Sequence, residues 1–151
     1  MKRRNLILSI LATGFFIAIA TLIPELATAQ ADKVKAAMAD LKARAEKLGA
    51  PTKADNSVVD AVAKDHGGVA TIFVKAGNEY KRVATTVKKE DGSSAVGSAL
   101  DATNPAVAKL NNGEAYYGDA TVFGKTYDAG YEPIKDASGA VIGAYFVGQP
   151  K

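Results

Sequence analysis

Arg82 stands inside a run of strand-forming residues, Tyr80-Lys81-Arg82-Val83-Ala84-Thr85-Thr86-Val87, where a fixed positive charge is out of keeping with its apolar neighbours. A guanidinium on a half-buried surface calls for a planar acceptor, and a carboxylate matches its fork of donors. One such charge-assisted hydrogen bond contributes roughly 1.5–3 kcal/mol. The competing assignment is a solvent-facing arginine paired with Glu79 or Glu90. The two-residue period of a strand sets Thr86 on the face of Arg82. Further along, the same period sets Tyr117, Asp119, Thr121, Phe123 and Lys125 on one face, an aromatic wall ending in an ammonium. That wall suits an anion with an apolar tail, unless Phe123 is core and Lys125 a turn residue. Tyr131, with Tyr127 four positions earlier on the same face, offers its phenol to a ligand oxygen or to a backbone carbonyl.

Other chemistries find little support. The chain has no Cys and one His, so neither a thiol nucleophile nor a histidine-built metal centre is available. His66 falls in the last turn of a predicted helix, where an imidazole complements the helix dipole. No serine occupies a strand-turn-helix elbow. Gly67-Gly68 and Asp91-Gly92 lack the following Lys-Ser/Thr of a phosphate-binding loop. Asp119, Asp128, Glu132 and Asp136 could supply paired carboxylates, but acids at strand ends and in turns are ordinary surface residues. The expectation is a protein that is not an enzyme and carries no cofactor or metal.

The elements that must hold Arg82 and its neighbours follow from periodicity. Val34, Met38, Leu41, Ala45 and Leu48 recur at spacings of four and three, which predicts an amphipathic helix capped by Asp32, closed by Gly49 and stopped by Pro51. A second helix is expected from about Asn56 to Asp65, with Val59, Val62 and His66 on one side and Gly67-Gly68 at its end. The pattern then turns to strands over 69–75 and 79–88, a hairpin about Ala76-Gly77-Asn78. Residues 95–113, with Asn104-Pro105 opening a short helical run, form an insert. Three more strands are expected over 115–124, 126–135 and 140–148. The fold class is α+β: a long first helix and a second helix packed on a five-stranded antiparallel sheet, with a helical insert between strands 2 and 3.

The N-terminus bears on where this domain works. Lys2-Arg3-Arg4 precedes an uncharged run from Leu6 to Ile23, and Ala27-Thr28-Ala29 has the small-residue spacing read by a signal peptidase. Residues 1–29 thus read as a signal peptide and 30–151 as one domain, exported to the periplasm. The alternative is an uncleaved anchor, residues 6–23, holding the domain at the outer face of the inner membrane. Cleavage removes three of the 19 basic residues and one of the 16 acidic ones, which lowers the net charge from +3 to +1. With no basic run or aromatic platform, that charge gives nucleic acid no foothold. Without Cys, stability rests on packing even in an oxidising compartment.

Gly68-Val-Ala-Thr-Ile-Phe-Val and Tyr80-Lys-Arg-Val-Ala-Thr-Thr-Val-Lys-Lys-Glu-Asp-Gly-Ser, followed by Gly118-Asp-Ala-Thr-Val-Phe-Gly-Lys, Tyr131-Glu-Pro-Ile-Lys-Asp and Gly143-Ala-Tyr-Phe-Val-Gly, carry a family pattern. The chain from about Asp32 to Gly148 resembles a single Cache domain of the third subgroup, found in the extracytoplasmic part of bacterial chemoreceptors and histidine kinases. The resemblance implies a PAS-like fold that binds small molecules, often short organic acids, between the sheet and the insert. Geometry and resemblance together nominate Arg82, Thr86, Tyr117, Lys125 and Tyr131 as ligand-binding residues. The resemblance also implies signalling or chemotaxis through a membrane-bound kinase or chemoreceptor, since the sequence stops at Lys151 without an output module of its own. A second reading is an interaction module without a ligand, whose first helix pairs with a partner or with a second copy in a homodimer.

Overall fold

The computed structural model describes residues 22–49, 52 and 55–151. The predicted cleavage site at Ala27-Thr28-Ala29 lies within its first helix, while the leader up to residue 21 and the Pro51 stop lie outside the described residues. None of the helices among the described residues is long and apolar enough to cross a membrane.

Helix α1, Leu22–Lys47, is under way well before Asp32, which is an exposed residue inside it and not its cap. The expected stripe does the packing: Val34, Ala37, Met38, Leu41 and Ala45 are buried, although Leu48 has left the helix and is exposed. Gly49 closes the helix at φ 72°, a left-handed conformation that glycine adopts without penalty. Helix α2, Asn56–His66, is capped by Asp55, whose carboxylate accepts from the Ser57 amide, and it buries Val58, Val59 and Val62.

The two helices are clamped by a charged seam. Asp40 accepts from Arg44 Nε at 2.7 Å and faces His66 Nε2 at 3.0 Å, and Arg44 reaches on to Asp65 at 2.6 Å. The single histidine therefore has a carboxylate partner on α1, more than a dipole role at the end of α2. The Arg44 hydrogen bond, opposed by partial burial and reinforced by His66, holds the Asp40 carboxyl below its ordinary value of 3.8. A lowered folded value means that the stabilisation is present above the unfolded value and lost as pH falls through the folded one. Asp40→Asn should lower stability by about 1 kcal/mol at pH 7. Chemical denaturation at pH 7 and again at pH 2.5 checks this: the gap between variant and parent should narrow at the lower pH, and an equal gap at both would refute the ionic account.

The strands are β1 (Val69–Ala76), β2 (Glu79–Thr85), β3 (Tyr116–Val122), β4 (Lys125–Lys135) and β5 (Val141–Pro150), with the short helix α3 (Pro105–Asn111) before β3. They form one antiparallel sheet in the order β2-β1-β5-β4-β3, with the C-terminal strand at its centre. Pleating sorts alternate side chains into two cores. Ala70, Ile72, Ile134, Tyr145 and Val147 meet α1 and α2 on one face. Phe73, Tyr80, Ala129, Tyr131, Ala144 and Phe146 meet Val87 and, from the insert, Ala95, Leu100, Ala106 and Leu110 on the other. Burying each large apolar side chain contributes about 1.5–3 kcal/mol. The expected α+β architecture is therefore present, element for element.

One irregularity decides what faces the insert. Ile72 lies opposite Ala84 but Phe73 lies opposite Arg82, which makes Val83 an extra residue in β2. Such a bulge inverts the alternation beyond it. Tyr80 belongs to the insert-side core with Phe73, whereas Val83 and Ala84 pack on the helix side. Strand β2 ends at Thr85, short of the expected Lys88, because Val87 and Lys88 turn out to pair with Ala95 and Ser94 of the insert.

Candidate ligand cleft

The free edge of β2 is covered by the insert, which runs alongside it: Arg82 N donates to Ser98 O, Gly97 N to Arg82 O and Leu100 N to Tyr80 O, at 2.7–2.9 Å. Where this segment approaches the β3–β4 hairpin it leaves a cleft of about 720 Å³, bounded by Arg82, residues 99–101 and 103–105 of the insert, and residues 119–124. Pockets that hold small ligands run from roughly 300 to 1,000 Å³.

The Arg82 guanidinium forms part of the wall. The residue is only 4% exposed. Its carbon lies 5.0 Å from the centre of the Phe73 ring and 5.1 Å from that of Phe123, within cation–π distance of both. Nη1 donates to Ser98 Oγ at 3.0 Å and to the Ala99 carbonyl at 2.8 Å. Nε is buried with no partner, and no carboxylate lies within ion-pair distance among the described residues. Glu79 lies nearer to Lys81, at 3.8 Å, so the surface pair with Glu79 or Glu90 does not form. Burial lowers the pKa of the guanidinium, with the nearby Tyr131 phenol acting against the shift. A buried cation with an orphaned donor is costly unless an anion completes it.

Phe123 reaches this position through the hairpin. Val122 pairs with Lys125, leaving Phe123-Gly124 as a two-residue loop with φ 46° and 75°. Positive φ at both central positions is the type I′ pattern, whose twist matches that of the flanking strands. Phe123 is the non-glycine residue with positive φ among those described, and its ring packs against the insert-side core and Arg82. Strain of this kind persists where the surroundings over-determine it.

Tyr131 is fully buried on the same side of the sheet, packed on Phe146 at 4.6 Å between ring centres. Its hydroxyl accepts from Asn104 Nδ2 at 3.2 Å, and Asn104 Oδ1 caps α3 by accepting from the Ala106 amide. Burial pushes the Tyr131 phenol up to about 12, partly offset by Asn104 and Arg82, so it keeps its proton at neutral pH. It thus stands one hydrogen bond behind the cleft wall, with Asn104 between.

The other three candidates lie elsewhere. Beyond the bulge, Thr86 no longer shares a face with Arg82, and its hydroxyl accepts from the Ala70 amide, tying β2 to β1. Tyr117 projects from the opposite face of β3 toward α1, where its hydroxyl donates to Glu132 Oε1 at 2.6 Å and Lys42 pairs with the same carboxylate. Partial burial and then the Glu132 hydrogen bond raise the Tyr117 pKa. Lys125 is exposed outside the cleft, because the turn at Phe123-Gly124 breaks the alternation assumed for residues 117–125. The sequence reading passed over Phe73, Ser98 and Asn104. Of these only Asn104, before Pro105, carried a local signal, that of a helix cap.

The match to known proteins is at the level of the domain. The family model for the Cache 3/Cache 2 fusion domain matches residues 22–151. The chain belongs to this Cache family. Cache domains are extracytoplasmic sensor domains, and the two-faced sheet with its insert is their PAS-like fold. Among solved structures, this Cache domain is similar to the sensor domain of Escherichia coli DcuS, at a TM-score of 0.54 and 15% identity, over 84% of this chain and 90% of that one. At that identity the likeness concerns the fold. No curated protein sequence matches the chain.

Proposed function

We propose that this Cache domain binds a short organic acid outside the cytoplasm, with Arg82 holding the ligand carboxylate in the cleft between the insert and the β3–β4 hairpin. The observation that carries the reading is the buried guanidinium at the cleft, flanked by Phe73 and Phe123, with its Nε unpartnered and no carboxylate within ion-pair distance among the described residues. Tyr131 and Asn104 form the polar backing of the same wall. Residues 1–29 would act as the export signal, and occupancy would be passed to a membrane-bound kinase or chemoreceptor. No catalytic step is assigned. A ligand that binds only the folded state raises the melting temperature by mass action, by roughly 2.7 kcal/mol of stabilisation at a hundred times its Kd. A thermal-shift screen of the purified protein against acetate, propionate, succinate, malate and free amino acids should give at least one saturable rise. Silence across the panel would favour a protein-interaction module instead.

A further inference from the structure

The sheet has two outer strands, and the chain treats them differently. The insert runs along β2, whereas no other backbone among the described residues bonds to the outer edge of β3. The Phe123-Gly124 turn fixes which groups stand on that edge. In a two-residue hairpin the flanking pair, Val122 and Lys125, is the bonded one, so by alternation Ala120, Gly118 and Tyr116 turn their amides and carbonyls to β4. Lys151 N donates to Thr126 O on the far side of β4, as that alternation requires. Tyr117, Asp119 and Thr121 therefore turn their backbone groups outward, and all three residues are exposed. A row of such groups is a template for a strand from another chain.

This edge is closed at its middle. The Tyr116 hydroxyl donates to the Asp119 carbonyl at 2.8 Å and so takes up the central outward acceptor. The ring can lie there because residue 118 is glycine: a Cβ on Gly118 would stand 2.9 Å from the Tyr116 hydroxyl oxygen and 3.2 Å from the ring carbon that bears it. Asp119 adds a charge. Two copies pairing β3 with β3 about this residue would set Asp119 opposite Asp119, with Asp128 beside each on β4, and like charges directly opposite are destabilising. Lys151 Nζ, 2.6 Å from Asp119 and 3.3 Å from Asp128, offsets only part of that charge, since each copy brings two carboxylates and one ammonium. We infer that Tyr116 and Asp119 keep the free edge of β3 closed to strand addition, and that the strand they exclude is the β3 of a second copy. Residues 119–122 also bound the cleft, so a strand laid along them would obstruct its mouth. Closure of the edge is independent of what the cleft holds.

Sedimentation velocity and amide hydrogen exchange of the purified protein over a concentration series test it. In the parent, the amides of Tyr117, Asp119 and Thr121 should exchange as open groups at every concentration, while those of Ala120 and Val122 are protected by β4. Tyr116→Phe keeps the ring beside Tyr131 and loses the donor, and Asp119→Thr removes the charge and gives the edge a strand-forming residue. The double variant should dimerise at least about tenfold more tightly than the parent, with the amides of Tyr117 and Thr121 gaining protection as concentration rises. Tyr116→Phe alone, the milder change, should fall between. Adding Thr121→Pro to the double variant removes an outward N–H and leaves the pairing with β4 intact, so it should return the protein to monomer. Three results would each overturn the inference: protection of the outward amides in the parent, no association in either Tyr116→Phe protein, or a dimer that survives Thr121→Pro.

Discussion

Arg82→Met should weaken binding of the proposed carboxylate ligand by roughly 30-fold or more and leave the ligand-free protein about as stable as before. In the free protein the guanidinium has lost its water, a penalty of several kcal/mol, and regains it through two hydrogen bonds from Nη1 and two aromatic faces. Each of those bonds contributes roughly 1.5–3 kcal/mol and each ring about 0.5–2 kcal/mol, while the unpaired Nε takes back about 1–3 kcal/mol. The sum is near break-even. Methionine fills similar space and packs its sulfur against the same rings. Ser98 Oγ keeps its bond to the Ala95 carbonyl, so the variant leaves no stranded hydroxyl. A bound carboxylate sees a different balance, because its buried charge has lost its counter-ion, a loss of about 2–5 kcal/mol or roughly 30-fold to several thousand-fold in affinity. Arg82→Lys keeps the charge but not the planar fork and should fall between. Calorimetry for binding and thermal melts of the free protein separate the two halves of the claim. Retained binding in Arg82→Met would remove Arg82 from the site. A melting temperature lower by ten degrees or more would make it a structural residue instead.

That the informative residue was legible in sequence and most of its companions were not has a physical cause. A charge inside a β-branched run stands out whatever surrounds it, and Arg82 is at the cleft wall for the reason it was conspicuous. The helix stripe of Val34, Met38, Leu41 and Ala45 and the hairpin about Ala76-Gly77-Asn78 were readable because they are local patterns. The pairing of β1 with β5 joins residues 69 to 79 positions apart, and no local pattern announces it. Face assignment failed at the two places where strand alternation is interrupted. Val83 displaces Thr86 from the Arg82 face, and the Phe123-Gly124 turn separates Phe123 from Tyr117 and Lys125. Strand periodicity assigns residues to two faces but does not say which face meets the helices. Tyr116 lies against the insert and Tyr117 against α1, although both are tyrosines in one strand. Phe73 gave no signal beyond that of a core residue, since its contact with Arg82 exists only once β1 and β2 have paired.

Gly143→Ala should be the most damaging single-methyl change in the sheet, and it should reach the cleft. Gly143 lies in β5, opposite Val74 of β1 and Ile134 of β4, at the centre of the sheet. A Cβ built there would come 2.2 Å from the Phe73 carbonyl oxygen and 3.3 Å from its carbon. Both are backbone atoms in a strand paired on both sides, so relief requires separating β1 from β5. Gly130→Ala offers a matched contrast in β4. Its Cβ would meet Tyr117 Cε1 at 2.7 Å and Val34 Cγ1 at 3.0 Å, and side chains can turn away. Neither glycine has positive φ, so the comparison isolates the nature of the neighbour from backbone strain. Overpacking that must move backbone should cost about 3 kcal/mol or more, against about 1 kcal/mol where a ring can shift. Urea denaturation of the two variants gives the ordering, and equal losses would contradict the packing account. Because Phe73 carries the ring that flanks Arg82, any Gly143→Ala protein that folds should also bind the ligand more weakly than Gly130→Ala, whose strain falls on the α1 face.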